Sequence, residues 1–119
     1  MNIEEYREYC ISKSGVTESF PFNETTLVFK VMGKMFALLP LDNPVSTNLK
    51  CEPGYAIELR EEYDGLIIPG FHMSKKHWNT VSLVDNLSYH LIRSLVDHSY
   101  DEVVKKLKKA DREALENMG

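Results

Sequence analysis

The chain is expected to fold as an α+β two-layer sandwich, with an antiparallel sheet covered by helices on one face only. Three observations predict this. Runs rich in β-branched and aromatic residues, Thr25 to Met32 and Met35 to Leu39, are separated only by Gly33-Lys34, the length of a hairpin turn. Amphipathic helical patterns bracket the strands at Asn2 to Ser14 and from Asn86 or Ser88 onward. Within each strand except the second, most of the aliphatic residues share one parity, as a sheet covered on one side requires.

Taken in order, Ile3, Tyr6, Cys10 and Ile11 form the apolar face of the first helix. Asn2 can cap it, Glu4 and Glu5 suit the positive end of its dipole, and Gly15 can terminate it in a left-handed conformation. Val16 to Glu24 reads as a loop, with Pro21 biasing Phe20 toward extended backbone. Gly33-Lys34 predicts a type II′ turn, with glycine first. Asp42-Asn43-Pro44 breaks the chain before a third strand, Val45 to Cys51. Pro53 fits the first turn of a helix reaching about Glu62. Leu66 to Ile68 is a short strand or a buried loop, and Lys76 to Val84 is a strand. The last helix uses Leu87, Leu91, Leu95 and Val96. The spacing Ser99 to Glu102 predicts a break with a restart. The expected order is α-β-β-β-α-(β)-β-α in a single domain spanning 1–119, with 109–119 frayed.

Composition sets limits. At 119 residues, 43% hydrophobic and 27% charged, the chain is neither disordered nor fibrous. No apolar run approaches the roughly 20 residues of a membrane-spanning helix. The acidic start, Met1 to Glu5, lacks the basic segment of a signal peptide. Two cysteines are too few for a disulfide scaffold, and together these features place the protein in the cytoplasm. A formal net charge of -4 disfavours uniform polyanion binding, so any nucleic-acid reading must rest on where cations cluster.

Strand parity supplies such a cluster. If Leu27, Phe29, Val31, Thr47, Leu49, Cys51, Val81 and Leu83 face the helices, the open face carries Lys30, Asn48, Lys50, Trp78, Thr80 and Ser82. The carboxylates Glu4, Glu5, Glu8, Glu58, Glu61 and Glu62 fall on the helices. A sheet bearing cations and an aromatic ring is one platform for bases and phosphates. The plain alternative is solvated lysines that discourage edge-to-edge aggregation.

The stretch from Gly70 to Thr80 concentrates His72, Lys75, Lys76, His77, Trp78 and Asn79. Its lysines could hold a phosphate or carboxylate, and His72, His77 and Asn79 are candidate ligand contacts. Catalysis has little support. There is no Gly-x-Ser-x-Gly elbow, no His-Glu-x-x-His and no phosphate-cradling loop. Cys10 and Cys51 have buried parity, and Cys51, His72 and His77 lack a recognised metal spacing. No catalytic residue, metal or cofactor is therefore expected.

Several segments together resemble the MmcQ/YjbR family of small bacterial proteins. They are Phe20-Pro21-Phe22, Leu27 to Val31 with Gly33 to Ala37, Asn48 to Cys51, and above all Pro69 to Val81. Ser99-Tyr100 with Val103-Val104 and Leu107 completes the match. The resemblance implies a CyaY-like or secretion-chaperone-like fold and a DNA-binding, non-catalytic role, but not frataxin's iron site. The positions that would carry the role are Lys30, Lys50, Lys75, Lys76 and Trp78, with Lys34 on the hairpin turn. Two alternatives stand beside it. One is a protein-partner or chaperone-like adaptor using the same face with Val28 and Phe36 or Leu38. The other is a small-molecule site around His72, Lys76 and His77.

Overall fold

The computed structural model describes residues 1–70 and 73–118, so expectations falling on Phe71 and His72 lie outside the described residues. Helix α1 spans Ile3–Ile11, and the Asn2 side chain accepts from the Glu5 N–H at 2.8 Å, as its capping role requires. Strand β1, Val16–Ser19, occupies part of the segment read as a loop. Its four residues are too few and too polar to signal a strand alone. The ladder with β2 creates it, pairing Val16 with Val31 and Ser19 with Val28.

Strands β2, Thr26–Val31, and β3, Lys34–Pro40, form the expected hairpin, but the turn lies one residue earlier. Its central residues are Met32 and Gly33, at φ 49° and 84°. Positive φ at both is the signature of a type I′ turn, whose twist matches that of the strands. The Met32 N–H donates to the Gly15 carbonyl at 3.2 Å and helps hold methionine in this unfavourable region.

Strand β4, Ser46–Lys50, leads into α2, Pro53–Glu62. There the Glu52 carboxylate accepts from the Gly54 and Tyr55 N–H groups at 2.9 and 2.8 Å. Strands β5, Ile67–Pro69, and β6, Trp78–Ser82, follow. Helix α3, Tyr89–Val104, is capped by Ser88 and runs through Ser99 without the expected break. Ser99 is fully buried and its hydroxyl serves the sheet, so it caps nothing. Nor is the end frayed: Lys109–Glu116 is helix α4, and Leu115 buries over Gly15. Gly15 has φ 71°, and a Cβ there would lie 2.6 Å from Leu115 Cδ1, so glycine is required twice over.

The described strands form one antiparallel sheet in the order β1-β2-β3-β4-β6-β5. Helices α1, α2 and α3 pack on one face, giving the α+β two-layer sandwich. Tyr6 and Cys10 of α1, Ala56 and Leu59 of α2, and Ile92, Leu95 and Val96 of α3 share one core with Leu27, Phe29, Leu49 and Val81. The Thr47 hydroxyl donates to the Leu38 carbonyl at 2.9 Å, so the Tyr6 hydroxyl, 2.6 Å away, donates to Thr47. A bulge in β3 places Phe29 opposite Ala37 but Lys30 opposite Met35, leaving Phe36 as the extra residue. Phe36 and Ala37 both enter the helix-side core, which is why this strand gave no parity signal.

Candidate nucleic-acid interface on the open sheet face

The sheet register brings the predicted open-face residues to one side. Lys50 lies opposite Trp78, Lys30 opposite Met35, Asn48 between Leu38 and Thr80, and Ser46 opposite Ser82. The Thr80 hydroxyl and Asn48 Oδ1 are 2.6 Å apart. On the other layer Glu4, Glu8, Glu58, Glu61 and Glu62 are exposed on α1 and α2. The sidedness expected from parity is therefore present. Asp42, which borders the open face beyond the end of β3, and Asp85, whose carboxylate accepts from the Ser82 hydroxyl at 2.7 Å, are acidic exceptions.

Trp78 differs from expectation. Its ring is on the open side, but only 7% of the residue is exposed, because it packs with Val28 and Leu38 beneath Met35 and Met73. A ring so covered has no free face on which to stack a base. The cause is local. Val28 and Leu38 pair across β2 and β3 and make the centre of this face apolar, so the largest side chain nearby covers them. Two residues expected to meet a protein partner are also excluded from the surface. Val28 is fully buried here, and Phe36 is buried beneath the helices. Leu38 borders a groove of about 640 Å³ with Phe22, Pro40, Ile68 and Met73.

The basic turn before β6 is anchored from α2. Arg60 Nε donates to Asn79 Oδ1 at 2.7 Å, and its Nη2 reaches the Trp78 carbonyl at 3.3 Å and the Lys75 carbonyl. Asn79 also donates to the Ala56 carbonyl at 3.4 Å and is 2% exposed. It is therefore a structural amide, and the reading of Asn79 as a ligand contact is corrected. His77 is half-buried, and its carbonyl accepts from the Cys51 N–H at 2.7 Å. Lys75 and Lys76 remain exposed, while His72 lies outside the described residues. Arg60, which holds this turn, gave no signal in the sequence beyond a basic residue near a helix end.

Lys34 is exposed where the hairpin enters β3, and Lys30 and Lys50 are half-buried. Burial, reinforced by Lys106, pulls the Lys50 pKa below its ordinary value, and Glu102 acts in the opposite direction. Burial likewise pushes both the Cys10 and Cys51 thiols up to about 12, which keeps them protonated and poor nucleophiles. Among the described residues no His, Cys, Asp or Glu side chains group as a metal site would need.

Comparison with known proteins agrees with this architecture. Residues 11–102 match the family model described as YjbR. The chain is 33% identical to the uncharacterised protein YjbR of Escherichia coli K12, over 97% of this chain and 98% of that one. It is 37% identical to the uncharacterised protein YbdF of Escherichia coli O157:H7, over 78% and 76% of the two chains. Among solved structures, the Deinococcus radiodurans protein DR2400, with its DUF419 domain, superposes with a TM-score of 0.89 at 37% identity, covering 97% of this chain and 88% of that one. A protein from Pseudomonas syringae superposes with a TM-score of 0.73 at 28% identity, covering 86% and 98%.

Proposed function

The chain belongs to the YjbR family, and from its charge layout we propose that it is a non-catalytic nucleic-acid-binding protein. Lys30, Lys34, Lys50, Lys75 and Lys76 contact phosphates. Trp78 supports the sheet face from within and stacks on no base. One observation carries this reading. Among the described residues none of these five lysines is in an ion pair, whereas Lys13, Lys105, Lys109 and Arg7 are each matched to a carboxylate. Lys30 and Lys50 are unmatched on the face opposite the carboxylate-bearing helices, and Lys34, Lys75 and Lys76 are unmatched in the turns that lead into β3 and β6, which gives a local field that the net charge conceals. The buried, protonated thiols support the non-catalytic part of the proposal.

A salt titration tests it. With about five phosphates neutralised, one per lysine, the log–log slope of affinity against salt is roughly -3.5 to -4.5. Lys75→Ala with Lys76→Ala makes that slope shallower. Absence of binding at low salt, or binding indifferent to salt, overturns the proposal.

The groove beside Leu38 favours a second reading. Its volume of about 640 Å³ and its walls of Phe22, Pro40, Ile68 and Met73 suit an apolar peptide side chain or small molecule. Binding there would vary little with salt and would respond to Leu38→Asn but not to loss of the lysines.

A further inference from the structure

A separate pocket forms where the end of α3 meets the sheet. It encloses about 400 Å³ and brings together Lys34 at the start of β3, Lys50 at the end of β4 and Lys106 just beyond α3. Met35, Trp78 and Leu107 supply apolar walls. Among the described residues no carboxylate lines it, and Glu102, the acid acting on Lys50, is itself paired with Lys105. Among the described residues none of the three ammonium groups has an ion-pair partner. The turn after α3 also limits the repulsion its C-terminal carbonyls would exert on an anion. The Val103 and Val104 carbonyls accept from the Lys106 and Leu107 N–H groups, both at 3.1 Å.

We infer that the Lys34–Lys50–Lys106 pocket is a phosphate-monoester site, with Trp78 and Met35 forming its apolar wall. Three cations around a half-open pocket match a doubly charged terminal phosphate better than the singly charged diesters of a passing backbone. Lys106 lies far from the other two in sequence and belongs to a basic run that reads by default as a solvated helix end. The inference deepens the nucleic-acid proposal and rests on it, because a strand end is the macromolecular source of such a group. A free sugar phosphate is the small-molecule source.

Trp78 is the chain's one tryptophan, so its emission reports on this pocket directly. The full chain is titrated with ribose 5-phosphate and with ribose. It is also titrated with a 5′-phosphorylated oligonucleotide and its 5′-hydroxyl counterpart at matched salt. The expected result is a saturable change in Trp78 emission with ribose 5-phosphate and none with ribose, and about tenfold tighter binding of the phosphorylated strand. Lys106→Ala removes both preferences, Lys106→Arg retains them, and Lys108→Ala, an exposed cation outside the pocket, leaves them unchanged. A response to ribose 5-phosphate with no binding of either strand supports the pocket and sinks the nucleic-acid proposal. Equal binding of both strands with no response to ribose 5-phosphate overturns the pocket and leaves the nucleic-acid proposal standing. Equal losses in Lys106→Ala and Lys108→Ala also overturn it, because they signal diffuse charge.

Discussion

The Ser99 hydroxyl of α3 donates to the Phe36 carbonyl of β3 at 2.5 Å. The same oxygen accepts from the Lys50 N–H of β4 at 2.9 Å. The β3 bulge opens the ladder at this point, and a helix side chain bridges the gap. Ser99 thus ties the covering helix to the backbone that carries Lys50. Ser99→Ala leaves a backbone donor and acceptor unpaired and is expected to destabilise the fold by about 1–3 kcal/mol. Urea unfolding measures this as a lower midpoint with an unchanged slope. An unchanged midpoint would show that the bridge contributes nothing.

Arg60 links α2 to the turn bearing Lys75 and Lys76. Its guanidinium spans Asn79 Oδ1 and the Lys75 and Trp78 carbonyls. Arg60→Ala orphans the buried Asn79 oxygen and is expected to cost about 1.5–3 kcal/mol. It should also red-shift Trp78 emission as Met73 loosens over the ring. A thermal melt with emission spectra checks both. Arg60→Lys restores a charge without the planar fork and should recover only part of the loss.

Glu52 caps α2, and the N–H groups of Gly54 and Tyr55 hold its carboxyl below the ordinary value of 4.5. Because the folded pKa is depressed, its stabilisation is complete above 4.5 and disappears as pH falls through the folded value. Glu52→Ala should therefore melt lower than wild type near neutral pH, with the gap closing in acid. Melting curves over a pH series test this, and a gap that widens in acid would contradict it.

Much of this architecture is legible in the sequence, and the failures share physical causes. The helix-facing parity of Leu27, Phe29, Val31, Leu49 and Val81 is readable because burial on one face imposes alternation. Strand β1 is not readable, since Val16 to Ser19 takes its conformation from pairing with β2. The bulge at Phe36 hides the facing of β3, and tertiary pairing shifts the turn onto Met32. Ser99 imitates a capping box, yet the hydrogen bonds it makes lie across the sheet. Parity placed Trp78 on the open side but could not reveal Met35 and Met73 above it, because depth within a face depends on packing. Lys106 joins Lys34 and Lys50 only through the course of α3 across the sheet.

The central claim is that cations on the open sheet face, and not cations in general, carry binding. The most direct measurement compares the salt dependence of nucleic-acid affinity for Lys30→Ala with Lys50→Ala against Arg93→Ala with Arg112→Ala. Both pairs remove the same charge, but Arg93 lies over the Tyr9 ring in the helix layer and Arg112 is exposed on α4. The log–log slope should become shallower by about two for the lysine pair and stay at the wild-type value for the arginine pair. Equal changes in both pairs, or a change only in the arginine pair, would contradict the account.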